Sequence, residues 1–207
     1  MEYIMNRLSI FKTHPDIILP KFATKGSACF DLSFQSAGKN EYVGYNQFNG
    51  PFTRSLSNGT IKLMTGDRVL VPTGLIFDIP EGHSVRIHAR SGLSLKQGLV
   101  LANAEAVIDS DYVEETMVML TNVSDIGITI NNGDRVAQAE LVKNEEYTLW
   151  EIFERPGKKT ERNGGLGSTG VAAQLTTTHV TTLDPNVQTS TTEQPVKRGR
   201  GRPRKVA

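Results

Sequence analysis

A chain of 207 residues has room for one ordinary domain and some additional segments, but not for two large domains. Hydrophobic residues make up 38% of it, yet no apolar run approaches the ~20 residues of a membrane span, and the opening MEYIMNRLSIF lacks the long apolar stretch of a secretion signal. The net charge of +1 conceals a division: residues 197–205 carry six bases and no acid, so without them acids would outnumber bases by five.

From about Ile4 to Ile152 the pattern is short, alternating and broken by Gly, Asn, Asp and Pro. Residues 38–60 are rich in Gly, Asn and aromatics, and read as a long loop or an extra hairpin inserted in the domain. Within and beyond it, residues 52–56 and 60–64 flank a Ser57-Asn58-Gly59 turn. Strands are expected at 68–72, 74–80, 84–88, 116–121 and 135–142, with Asn132-Gly133 as a second tight turn. No segment shows sustained helical periodicity. The reading is an all-β domain over residues 1–152, a sandwich, jelly roll or barrel. From Ala172 to Gln194 the chain is rich in Thr, Gln and Ala, too poor in large apolar side chains to offset ordering, and is expected to be a disordered linker (171–196).

Cys29 has no second cysteine to pair with, which excludes an intramolecular disulfide and fits a reducing compartment. The chain is therefore expected in a cytoplasm or a nucleus, and not outside the cell. His14, His83, His88 and His179 show no metal-ligand spacing, and a lone cysteine adds none, which argues against zinc.

Five short segments carry candidate chemistry: Gly26–Leu32, Ala89–Leu93, Ala106–Tyr112, Gly133–Gln138 and Arg162–Gly170. The last has four glycines in seven residues beside Arg162, so its amides could curl around an anion, although a Gly-rich stretch alone is more often a linker. It is not a P-loop, since no Gly-Lys-Ser/Thr follows. Arg90-Ser91-Gly92 at a strand end offers a second phosphate contact or an ordinary turn. Asp109 and Asp111 share a face in extended chain, where they could hold a metal, divide acid and base roles, or simply be solvated. Locally, Gly133-Asp134 is a turn and Gln138 a strand residue.

Taken together, in order and separation, the five segments resemble the motifs of the homotrimeric dUTPase family over roughly Ile4 to Gly170, interrupted by the 38–60 insertion. The resemblance implies a distorted jelly roll or β-sandwich with a flexible C-terminal arm (153–170), and hydrolysis of dUTP to dUMP and pyrophosphate. That reaction limits uracil incorporation into DNA and supplies dUMP for dTMP synthesis. Asp109 is then the catalytic general base that deprotonates the attacking water. Tyr112 packs under the deoxyribose, and Asn103 opens the hairpin that reads uracil, with Val107, Ile108 and Met117 beside the nucleotide. Arg90, Ser91, Gly92 and Gln138 hold phosphates, and Asp31 is a supporting acid near them. Arg162, Leu166, Gly167, Ser168 and Thr169 form a lid over the γ-phosphate. Mg²⁺ is expected to be held by the phosphates and water, with no direct protein ligand. Active sites are shared within a homotrimer.

Three departures from the family pattern bear on this expectation. Cys29 and Ala106 stand where Gly is usual, and Ala106 would be strained if its backbone needs a positive φ. The arm is one residue short between Arg162 and Gly167, with Leu166 in place of a stacking Phe, so weaker nucleotide binding or looser closure is expected. Lys197–Lys205 resembles an AT-hook, with Arg200, Gly201, Arg202 and Pro203 as its core, which implies weak minor-groove binding to A/T-rich DNA. Nuclear targeting, non-specific nucleic-acid contact or a solubilising tail are the other uses of such a run. Two rival functions are a dCTP deaminase, which shares the fold, and a catalytically inactive, DNA-tethered trimer that senses dUTP.

Overall fold

The computed structural model describes residues 7–161. Gln138, in the middle of the longest of the described strands, stands opposite Asp31 on one neighbour and His88 on the other. Its strand, β13 (Arg135–Lys143), lies between β2 (Phe30–Ser33) and β8 (His83–His88). With β10 (Ala106–Ile108) added beyond β8, the four-stranded order is β10-β8-β13-β2, all antiparallel. Ala137 and Ala139 alternate inward with no exposure, while Gln138 between them points to the opposite face, as the two-residue period requires.

A second sheet has the order β4-β3-β6-β11-β9. Its members are β3 (Glu41–Tyr45), β4 (Pro51–Ser55), β6 (Arg68–Pro72), β9 (Leu99–Leu101) and β11 (Met117–Asn122). Two pairs complete the β structure: β1 (Ser9–Lys12) with β7 (Leu75–Asp78), and β5 (Thr60–Leu63) with β12 (Ile128–Asn131). The sheets share one apolar core that includes Leu32, Phe34, Ile61, Leu63, Val71, Phe77, Ile87 and Leu120. Each such side chain contributes about 1.5–3 kcal/mol by leaving water. Phe30 meets Phe77 edge-on at 6.1 Å.

The expected strands between residues 68 and 142 form close to their predicted bounds. Asn58 and Gly59 both take positive φ (53° and 67°), the combination a tight hairpin turn demands and Asn-Gly tolerates. Two expectations are corrected. Residues 52–56 and 60–64 do not form one hairpin: beyond a Ser57–Thr60 bridge they separate, β4 returning to β3 and β5 leaving for β12. The insertion is thus a β3–β4 hairpin that extends the second sheet through β6. The lack of helical periodicity also needs amending, by one short helix within an otherwise all-β fold. Helix α1 (Ser91–Gln97) follows β8, too short for an apolar period to register and with no buried residue. Gly98, with φ 67° and ψ 23°, ends it by donating to the carbonyls of Leu93 and Ser94.

The chain divides into two compact units, residues 1–149 and 150–207. The described part of the second, 150–161, contains no helix or strand, and Trp150, Ile152 and Phe153 in it are exposed. The expected lid residues Arg162, Leu166, Gly167, Ser168 and Thr169 lie outside the described residues, as do the linker and the AT-hook-like Arg200, Gly201, Arg202 and Pro203.

Candidate active site

Asp31 is the centre of a charge cluster at one end of the four-stranded sheet. One carboxylate oxygen meets Arg90 Nε at 2.9 Å and the other accepts from Arg135 at 2.9 Å. Arg90 also donates to the Arg135 carbonyl at 2.8 Å, so its guanidinium is fixed from two sides. Gln138 Nε2 donates to the Ala89 carbonyl at 3.0 Å, holding the strand end that delivers Arg90. Arg90 is the N-cap of α1 in extended conformation, and the Ser91 and Gly92 amides precede Leu93, the first amide that donates within the helix. Arg135 lines two clefts. One, of about 390 Å³, includes Arg90, Asn131 and Asp134. The other, of about 430 Å³, includes Asp31, Ser33 and Gln35. A larger cleft, about 790 Å³, lies instead against the β3–β4 hairpin and carries none of this chemistry.

The predicted base lies elsewhere. Ile108 pairs with Val85 and Ala106 with Ile87, so β10 runs away from Arg90, and Asp109 leaves the sheet beside the start of β8. Six extended residues separate that point from Arg90, about 20 Å. Asp109 and Tyr112 belong to one turn, closed by the Tyr112 amide donating to the Asp109 carbonyl at 3.2 Å, and both are exposed. Tyr112 Oη donates to the Glu115 carbonyl at 3.2 Å. The Glu115 carboxylate is held in turn by Lys39 at 2.5 Å and by the Gly74 amide at 2.8 Å. Asn103 lies in the β9–β10 turn, where its carbonyl accepts from Glu105 at 2.7 Å. Val107 is exposed on β10, and Met117 begins β11 opposite Pro72. A single chain therefore unites Arg90, Ser91, Gly92, Gln138 and Asp31, but not these with Asp109 and Tyr112.

Positive φ in the β9–β10 hairpin falls on Ala104 (62°); Ala106, the residue singled out from the sequence, lies in strand β10. Arg135 and Glu115 escaped sequence reading because each looks like an ordinary charged strand or loop residue. Arg135 follows a Gly-Asp turn, but nothing local points it at Asp31, 104 residues away.

The family description dUTPase matches residues 54–170. The chain belongs to the dUTPase family. It is 36% identical to the deoxyuridine 5'-triphosphate nucleotidohydrolase of Neorickettsia sennetsu, covering 75% of this chain and 89% of that protein. With the Caulobacter vibrioides protein of the same name it shares 33% identity, over 80% of this chain and 94% of the relative. Its fold is similar to the dUTPase of Streptococcus mutans (TM-score 0.52, 24% identity, 68% of this chain and 98% of that one). A mutant of the Staphylococcus bacteriophage 80alpha dUTPase with dUpNHpp is also similar (TM-score 0.62, 21% identity, 80% and 99%). As a dUTPase the chain is a hydrolase of nucleoside triphosphate anhydride bonds.

Proposed function

We propose that this dUTPase hydrolyses dUTP to dUMP and pyrophosphate at sites shared between copies of a homotrimer. The observation that carries the reading is the placement of Arg90 and Asp109 at opposite ends of β8, because a cation cluster suited to phosphate and a base suited to water can meet only across copies. Asp109 takes a proton from water as its oxygen bonds to the α-phosphorus, and the bond to the bridging oxygen of the β-phosphate breaks with pyrophosphate leaving. Arg90 and Gln138 with the Ser91 and Gly92 amides hold the phosphates in line. Tyr112 supports the deoxyribose, and the turn at Asn103, with Val107, Ile108 and Met117, faces the base. The arm residues Arg162, Leu166, Gly167, Ser168 and Thr169 close over the phosphates.

Asp31 is occupied by two guanidinium groups, and among the described residues no carboxylate trio converges on one point. That donor set fits Mg²⁺ carried by the triphosphate and water, where it supplies charge neutralisation. The basic run at 197–205 would add weak, salt-sensitive binding to A/T-rich DNA.

Pyrophosphate release from dUTP is the decisive assay. Wild type releases it and Asp109→Asn does not. Ammonia release from dCTP instead would favour the deaminase, and tight dUTP binding without turnover would favour the sensor. Removal of residues 197–205 weakens low-salt binding to an A/T-rich duplex; unchanged affinity rejects the tail assignment.

A further inference from the structure

Cys29, His88 and Glu140 each bring one ligand atom to a common volume in which all three lie within 4.8 Å of one another. They come from the segment before β2, the end of β8 and the middle of β13, and none is fully exposed. Glu140 lies two residues beyond Gln138 on β13 and so shares its face of the sheet, one row from the phosphate-side cluster. His88 Nε2 stands 3.1 Å from a Glu140 oxygen, and its other nitrogen, Nδ1, 3.4 Å from Glu105. Arg86, opposite Glu140 in the register, turns its guanidinium to Ser84 at 3.2 Å and Glu105 at 3.5 Å.

We propose that Cys29, His88 and Glu140 form a site for a borderline-soft divalent cation of the Zn²⁺ kind, with Glu105 fixing the histidine from behind. Thiolate, imidazole and carboxylate form a mixed set that zinc accepts and magnesium does not. Ligand atoms around tetrahedral zinc stand roughly 3.3–3.8 Å apart, given bonds of about 2.0–2.3 Å. The His88–Glu140 pair is already that close, and the 4.8 Å spread closes with side-chain adjustments of about 1 Å. A carboxylate on the far nitrogen of a ligating histidine sets its tautomer and orientation, and Glu105 stands in that place. The three ligands leave a fourth position for water.

The same three residue types could be read as a nucleophilic triad, but the thiol is wrong for it. Burial and then the negative charge of Glu140 hold Cys29 protonated above the usual thiol range, whereas a nucleophile needs a lowered one. A metal reverses this: as the metal–sulfur bond forms, the thiol proton passes to solvent. The site is argued independently of the dUTP reading, since none of its three ligands is among the residues assigned above to dUTP.

The test uses the full-length, nucleotide-free protein titrated with Co²⁺ by absorption and with Zn²⁺ by calorimetry. One equivalent per chain is expected, with a near-ultraviolet thiolate-to-cobalt band. Cys29 is the sole cysteine of the sequence, so that band can arise from no other residue. Glu105→Gln weakens binding by about tenfold to a hundredfold, as outer-shell changes do, and Cys29→Ser or Glu140→Gln weakens it further. Cobalt binding without the thiolate band, or no binding at all, overturns the site on wild-type protein alone, whatever the folding of the variants. Zinc affinity in Glu140→Gln equal to wild type overturns it as well.

Discussion

The carboxylate of Asp31 holds the guanidinium of Arg90 at 2.9 Å across the width of β13, whose Gln138 is the register partner of Asp31. In the proposed phosphate-binding role, Arg90 would thereby be set before substrate arrives, which would reduce the ordering that phosphate binding must impose. Asp31→Asn removes the charge that fixes both Arg90 and Arg135. It is expected to lower kcat/KM for dUTP by about ten- to a hundredfold, with the melting temperature little changed. Arg90→Lys should fall similarly, because an ammonium cannot reach Asp31 and the Arg135 carbonyl in one fork. Steady-state kinetics with thermal melts checks both, and an Asp31→Asn enzyme as active as wild type would remove Asp31 from the site.

Mixed copies test whether the site is shared. Arg90→Ala and Asp109→Asn proteins are each expected to be inactive. Unfolded together and refolded at equal concentration, they should recover up to about a quarter of wild-type activity, since a site drawing the two residues from different copies receives both intact with that frequency. No recovery after confirmed subunit exchange would place both residues in one chain's site.

Gly44 lies between β4 and β6, and a Cβ there would stand 2.3 Å from the Arg68 carbonyl oxygen and 2.7 Å from the Phe52 ring. Backbone cannot yield that far, so Gly44→Ala should destabilise the protein by about 1–3 kcal/mol. Thermal or urea unfolding reads this directly. An unchanged midpoint would mean that the inserted hairpin is an appendage and not part of the sheet.

Ala104 holds a left-handed backbone at φ 62°. An L-residue there costs about 1–2 kcal/mol, and glycine gives back about 0.4–1 kcal/mol in chain entropy. Relief wins, so Ala104→Gly should raise the melting temperature by a few degrees, as calorimetry would show.

Much of the sheet framework was legible because it rests on local signals. Residues 68–72 and 84–88 alternate with the period of a half-buried strand, and Asn58-Gly59 and Asn132-Gly133 carry the residues that tight turns need. Pairing was not legible where it depends on distant partners. Nothing in residues 60–63 announces that β5 will leave the adjacent strand for β12. Helix α1 was missed because seven residues, none of them buried, leave no apolar stripe. Asp109 and Arg90 were named as candidates from motif order, but their separation along β8 follows only from register. Spacing along the chain gives no sign of the Cys29, His88 and Glu140 cluster for the same reason. Cys29, His88 and Glu140 are far apart along the chain and become neighbours only when β8, β13 and β2 align.

Sites shared between copies, as proposed above, would also make catalysis a matter of abundance. An isolated chain would hold the cation half of one centre and the base half of another, and finish neither. Turnover per molecule should then fall steeply on dilution below the assembly threshold, so a cell making little of this protein would obtain almost no hydrolysis until copies began to find one another.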